Sequence, residues 1–394
     1  MKTGYKRTLC ACFIGSATLS ISNNLAPLLF VLFQQEFEIT VAKIGLLVTY
    51  NFCIQTLVDL IAARFAEKIG YKKCVVAAEI FCAVGVSGLG LFPSLLPDPY
   101  VGLLLAVGIY AVGGGLLEVL VSPIVEALPL DKKSGTMSLL HSFYCWGHAL
   151  VVILTTVFFH FAGTQYWRLV TFIWALIPAA NAVLFVTSPI ITLSAGEEKV
   201  PMRKLFKIRI FWVFMLVMLC AGASELSMAQ WASYFAECGL GVSKAFGDLL
   251  GPCMFALLMG ASRALYAAFS SKIRLSSVLV GSGVLCVLSY LLAVFSPFPV
   301  LALLGCGLCG LSVGVMWPGT LSLSAEKYPQ GGTAMFGLLA LAGDIGCSAG
   351  PSIVGFVSEL TDGRLQTGLL ATIVFPVMLI VTVCSLTKKL SMKN

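Results

Sequence analysis

Residues Tyr100–Leu128 read YVGLLLAVGIYAVGGGLLEVLVSPIVEAL, and this stretch decides the fold. It is long enough to cross the ~30 Å hydrocarbon core of a bilayer as a helix, which takes about 20 residues. No charge stands in its apolar run until Glu118. An ionisable side chain at membrane depth costs at least ~2.5–3.5 kcal/mol on insertion scales, so it faces a protein interior or a wet cavity and marks a pathway. Glu225 in CAGASELSMAQW (Cys220–Trp231) and Asp344 in LALAGDIGCSAG (Leu339–Gly350) repeat the anomaly. Three such acids are expected where something polar moves through a membrane.

The rest of the chain has the same character. Of 394 residues 59% are hydrophobic and 11% charged, against about 25% charged in a soluble domain. Its apolar runs have the length of spanning helices, unlike the alternating ~10-residue segments of an outer-membrane barrel. No soluble domain fits between them. The N-terminal MKTGYKRTLCACF has no small-residue cleavage site, so its apolar run reads as a retained first span. The 14 cysteines lie almost all within spans, where Cys acts as a small hydrophobe. Cys306 and Cys309 share a helix face, but no His or further Cys stands nearby in sequence, so packing is the reading and no metal or cofactor is expected. No nucleophile–base pair emerges, which argues against an enzyme.

Apolar runs and their polar breaks predict twelve helices: 8–34, 39–68, 73–92, 99–128, 135–161, 166–188, 209–237, 244–271, 276–296, 299–326, 332–359 and 365–387. Phe92-Pro93-Ser94 and Leu96-Pro97-Asp98-Pro99 supply breakers between the third and fourth. With both termini cytoplasmic, the inside segments hold twenty Lys and Arg and the outside segments four: Lys43, Arg168, Lys244 and Arg364. That bias fixes the orientation and supports an even number of spans. It also accounts for the net charge of +7 without nucleic acid.

The polar stretch SAGEEKVPMRKLFK (Ser194–Lys207) divides the chain into a first bundle, 1–193, a linker, 194–208, and a second bundle, 209–394. The halves repeat weakly. GSATLSISNN (Gly15–Asn24) matches GASELSMAQW (Gly222–Trp231), Glu126-Ala-Leu-Pro129 matches Glu326-Lys-Tyr-Pro329, and Gly135-Thr136 matches Gly332-Thr333, in the same order. Parallel six-helix repeats are an architecture of secondary transporters, with the site near the midplane where the repeats meet.

The loop after the second helix reads ARFAEKIGYKK (Ala63–Lys73). It resembles the major facilitator superfamily signature G-x-L-A-D-R-x-G-R-K/R, with Glu67 for the Asp, Lys68 for the Arg and Ala63 for the first Gly. The resemblance implies a twelve-helix fold in two pseudo-symmetric six-helix bundles, alternating access, and a cytoplasmic latch formed by Arg64, Glu67, Lys68 and Gly70. Within that superfamily the fourth helix is similar to the fucose/proton symporter branch, whose Leu-Glu is followed after three residues by Asn-Pro. Here the same element is Leu117-Glu118-Val-Leu-Val-Ser122-Pro123, with Ser for Asn. The Phe143 and Gly147 pattern of the fifth helix fits the same branch. One departure stands out. The branch couples protons with an acid in its first helix as well, and here that helix offers only Ser22, Asn23 and Asn24 before Ala26-Pro27. Glu225 or Asp344 replaces that acid, or Glu118 works alone.

The residues themselves suggest roles. A carboxyl group that is dry in one conformation and wet in another takes up and releases a proton; that is the reading of Glu118, beside Gly113-Gly114-Gly115, whose lack of side chains permits close helix approach. The competing reading is a neutral Glu bonded to a neighbouring helix. Asn23, Asn24, His141, His148, Glu225, Gln230, Trp231 and Trp317 are expected to line the cavity: amides and carboxylates for hydroxyl groups, aromatic faces for the apolar side of a sugar ring. His141 and His148 sit seven apart on one helix face, as proton relay, hydroxyl ligands or structural histidines. Trp231 reads equally as an interfacial belt residue. Asp59 and Arg263, at equivalent repeat positions, are expected in ion pairs that break on rocking. Trp317-Pro318 combines a ring with a kink. The sequence thus predicts a monomeric plasma-membrane transporter taking up a small polar solute with a proton, or sodium, as coupling ion. Export of amphipathic compounds and nutrient sensing without transport are the rival readings.

Overall fold

In the computed structural model of the chain the described residues are 3–129, 133–190, 205–269, 273–328 and 332–391. Twelve helices among them are long and apolar enough to cross a membrane. In lipid every backbone N–H and C=O must find its partner within the segment, and the helix meets that demand. The spans are α1 (Thr3–Leu28), α2 (Val41–Ile69), α3 (Tyr71–Leu95), α4 (Pro99–Ala127), α5 (Lys133–Ala162) and α6 (Trp167–Thr187). They continue with α7 (Arg209–Ala229), α8 (Met254–Phe269), α9 (Leu275–Phe295), α10 (Pro299–Val313), α11 (Gly332–Leu360) and α12 (Val374–Ser391).

The ends follow local chemistry. Asp98 caps α4, its carboxylate accepting from the Tyr100 N–H at 2.9 Å, and Pro99 occupies the first helical position, where no N–H is needed. Gly70 separates α2 from α3 at φ +97°, a conformation that side chains resist. One expectation fails: Pro93 does not end α3, which runs on to Leu95. The elements that continue a span past a break are Phe30–Phe37 after α1, a π-helical turn Phe235–Gly239 after α7, Met316–Lys327 after α10, and Leu365–Ala371 ahead of α12. A further π-helical turn, Leu249–Cys253, holding Pro252, leads into α8.

The chain forms two compact units. The first comprises Met1–Thr40 and Tyr50–Ala195; the second comprises Val41–Thr49 and Gly196–Asn394. The linker drawn at 194–208 falls mostly outside the described residues. In the first unit the core joins Ala11 and Cys12 of α1, Ala78 and Cys82 of α3, and Leu117, Leu120 and Val121 of α4. Gly113 sits against Ala78 and Cys82, so close that a Cβ would collide with them. The second unit uses the same device. Gly346 and Gly350 of α11 face Leu219, Ala223 and Ser227 of α7, and Gly310 and Gly314 face Phe255 and Met259 of α8. The two G-x-x-x-G pairs are therefore close-packing faces.

The first nine residues of α2 pack within the second unit. The Ala42 N–H donates to Glu359 Oε2 at 2.8 Å, and the hydroxyls of Thr49 and Ser352 are hydrogen-bonded. Between these bonds Gly45 lies against Gly355, with the Trp231 ring beside both.

Candidate functional site

In the first unit Glu118 is half-buried on α4. It shares a helix face with Gly114 and Gly115, three and four residues earlier. These glycines admit α2: Gly114 lies against the Gln55 amide, and Gly115 against the Gln55 carbonyl and the Asp59 carboxylate. Gln55 and Asn51, one turn apart on α2, both donate to Asn23 Oδ1 on α1, at 2.7 and 3.2 Å. All three amides are buried. Asn24 donates to the Ser20 carbonyl at 2.9 Å and, at 3.4 Å, to the Tyr144 hydroxyl of α5. Asp59 follows this interhelical set of amides one turn along α2, and Glu118 stands one turn past Gly114 and Gly115 on α4. Sequence reasoning picked out Asn23, Asn24, Asp59 and Glu118 but missed Asn51 and Gln55. Their signal was present: Asn51, Gln55 and Asp59 recur every four residues in Ile44–Ala63, a stretch with no other carboxylate, amide or cationic side chain.

His141 and His148, expected to act as a pair, differ in setting: His148 is buried and His141 exposed. The side chains of Arg64 and Glu67 lie outside the described ones; Lys68 is exposed, its ammonium 5.9 Å from the Phe65 ring.

In the second unit Arg263 of α8 donates from Nε to the Gly314 carbonyl at 3.1 Å. The sequence explains this. An α-helical carbonyl bonds the N–H four residues on, and here that residue is Pro318, which has none. Arg263 also lies within electrostatic reach of Glu225 on α7. It is thus a cap on a proline break with a carboxylate nearby in its own unit. Trp317, just past the break, presses its ring on Gly343, beside the buried Asp344. Trp231 is fully buried, and its indole N–H donates to the Pro351 carbonyl at 3.0 Å. In this conformation it is a packing anchor rather than an open stacking face. Gln230 is buried at the same break.

A cluster that the sequence reading passed over stands where α7 gives way to α8. Lys244 Nζ lies 2.9 Å from Glu237 Oε1 and 3.1 Å from Asp248 Oδ2, and the Ser233 hydroxyl donates to Asp248 Oδ1 at 2.5 Å. Asp248 is fully buried. Two π-helical turns, which often mark functional positions, flank it. Among the described residues no cluster of His, Cys, Asp and Glu could hold a metal ion.

The sequence profile of the Major Facilitator Superfamily matches residues 10–351. The chain belongs to this superfamily. Its members are transporters rather than enzymes, and they carry small molecules with coupling ions. No curated protein matches the chain at the sequence level. Solved structures share the fold at low identity. A bacterial homologue of the human lysosomal transporter Spinster, inward-facing and occupied, has a TM-score of 0.79 at 16% identity, covering 98% of each chain. The nucleoside transporter NupG has 0.78 at 15%, over 98% of this chain and 100% of its own. The superfamily transporter FucP, in an outward conformation, has 0.63 at 16%, over 95% and 97%. For this superfamily member the loop glycine Gly70 and the glycine-lined α4 are accounted for by backbone geometry.

Proposed function

We propose that this superfamily member takes up a small hydroxylated solute, a sugar or polyol, by proton-coupled alternating access, with both termini in the cytoplasm of a plasma membrane. The observation that carries this reading is the buried amide set of Asn23, Asn51 and Gln55, with Asp59 one turn further along α2 and Glu118 one turn past the glycines of α4 that meet it. Amides donate and accept, and so match hydroxyl groups in both directions. A site built to bond hydroxyls rejects analogues that lack them, because its polar groups would be left unpaired. This favours a sugar over an amphipathic drug. Likeness of fold to a nucleoside transporter is compatible with a solute bearing hydroxyls.

Glu118 is the main proton carrier in this proposal, with Glu225 and Asp344 as further acids. Asn23, Asn24, His141, His148, Gln230 and Trp317 meet the solute. Trp231 acts through the contact of Val41–Thr49 with α11, which opens during the cycle. The loop Arg64, Glu67, Lys68 and Gly70 acts as the latch, and Arg263 and Asp59 respond to the same motion. Sodium in place of the proton is the alternative coupling ion.

The test begins with thermal shifts of the purified protein against sugars, nucleosides and amino acids at two pH values. Uptake of the solute so found is then measured in vesicles with and without a pH gradient. Accumulation is expected only with the gradient, and Glu118→Gln is expected to lose accumulation while keeping exchange at equilibrium. Gradient-driven accumulation by Glu118→Gln would refute the proton role.

A further inference from the structure

Glu79 of α3 has no part in the set around Glu118, yet it is 0% exposed. Its Oε1 accepts from Asn181 Nδ2 of α6 at 2.6 Å. The same amide nitrogen donates to the Ala11 carbonyl of α1 at 3.0 Å, which fixes the orientation of the Asn181 group. A backbone carbonyl only accepts, so the nitrogen must face it. Asn181 Oδ1 is left without a partner, Glu79 Oε2 has none either, and both atoms are buried. The buried Thr18 hydroxyl of α1 stands beside the Glu79 carboxyl, and the buried Ser22 hydroxyl, one turn on, stands beside the Cys82 thiol. Gly15 keeps this space open, since a Cβ there would lie 3.3 Å from Glu79 Oε1.

Among the described residues no cation stands beside Glu79. α1 presents Cys12, Gly15 and Thr18, α3 adds Cys82, α4 presents Leu117 and Val121, and α6 presents Asn181. Among the described residues the titratable groups facing Glu79 are the two thiols. An isolated buried carboxylate is not tolerated; such a group is neutralised or paired. Asn181 serves one oxygen and leaves the other for a hydrogen, and Thr18 Oγ is the neighbouring acceptor.

We propose that Glu79, clamped by Asn181 and bordered by Thr18, is a second proton-binding site of the first unit, separate from Glu118. A proton from solvent forms the O–H bond at Oε2, the carboxylate becoming the neutral acid, and the same bond breaks on release. Release requires only that water reach Oε2 as α6 loosens from α1, a fluctuation within the first unit, so neither the bound proton nor its release rests on the transporter reading.

The test therefore uses the resting protein and no solute. Infrared spectra of the purified full chain are recorded from about pH 5 to about pH 9, a range that a perturbed carboxyl can span. Subtracting the Glu79→Gln spectrum from wild type is expected to show one protonated-carboxyl stretching band. That band should fade as pH rises and should be indifferent to replacing potassium by sodium. In Asn181→Leu, which keeps the acid but removes the amide donor, the band should move to higher frequency. This second variant also serves if Glu79→Gln fails to fold. Absence of the band, its persistence unchanged across the pH range, its removal by sodium at constant pH, or an unmoved band in Asn181→Leu would each overturn the assignment.

Discussion

Arg263 donates to the Gly314 carbonyl because Pro318 has no N–H to give it. A buried acceptor deprived of its partner costs about 1–3 kcal/mol. Arg263→Met is expected to lower stability by about that amount, read from thermal unfolding in detergent. Pro318→Ala restores the missing N–H, so the double variant should recover much of the loss; a double-mutant cycle measures this coupling. Lys244 presents a sharper case, since it stands between Glu237 and the fully buried Asp248. Removing one partner of a buried ion pair costs about 3–5 kcal/mol. Lys244→Met should therefore express poorly or unfold early, and Lys244→Met/Asp248→Asn should be the more stable of the two. Glu79 belongs to this scale in a further sense. It stands alone in the apolar run VVAAEIFCAVG (Val75–Gly85), the same sequence signal that singled out Glu118. The signal was legible; what it lacked was the partner, Asn181, which lies 102 residues away.

Among the elements, glycines decide which helices touch. Gly346 of α11 has no room for a side chain, whereas nothing lies within 4 Å of a Cβ at Gly281 of α9. Gly346→Ala is expected to destabilise by about 1–3 kcal/mol through overpacking, and Gly281→Ala to be neutral or slightly stabilising, both by thermal unfolding. The head of α2 gives another test. A Cβ at Gly45 would lie 3.5 Å from the Gly355 Cα and one at Gly355 3.3 Å from the Gly45 Cα, so side chains placed at both positions would touch. Gly45→Cys/Gly355→Cys is expected to cross-link on mild oxidation, as detected by mass spectrometry of linked peptides, and to stop uptake until reduced. The spans themselves were well placed by the sequence, most of them within a few residues, because lipid imposes one strong condition on every one of them. Pro93 was misread as a terminator. A proline in the last turn of a helix breaks little, and α3 continues past it.

For the molecule as a whole, the excess of Lys and Arg in alternate loops predicts both termini on the cytoplasmic side. Tags at either end should be open to protease in inside-out vesicles and protected in right-side-out ones; the reverse result would invert the topology. Membrane residence, the number of spans and this orientation bias were determined by the sequence alone. Each is a sum of local transfer and charge terms, and needs no knowledge of which helix meets which. Only the tertiary structure decided which polar groups are paired and sealed: Asn23 with Asn51 and Gln55, Asn181 with Glu79, Arg263 with the Gly314 carbonyl. Those pairings depend on the rotation of each helix about its axis and on its register against a distant neighbour. A helix that is apolar on all sides carries no stripe from which that rotation could be read.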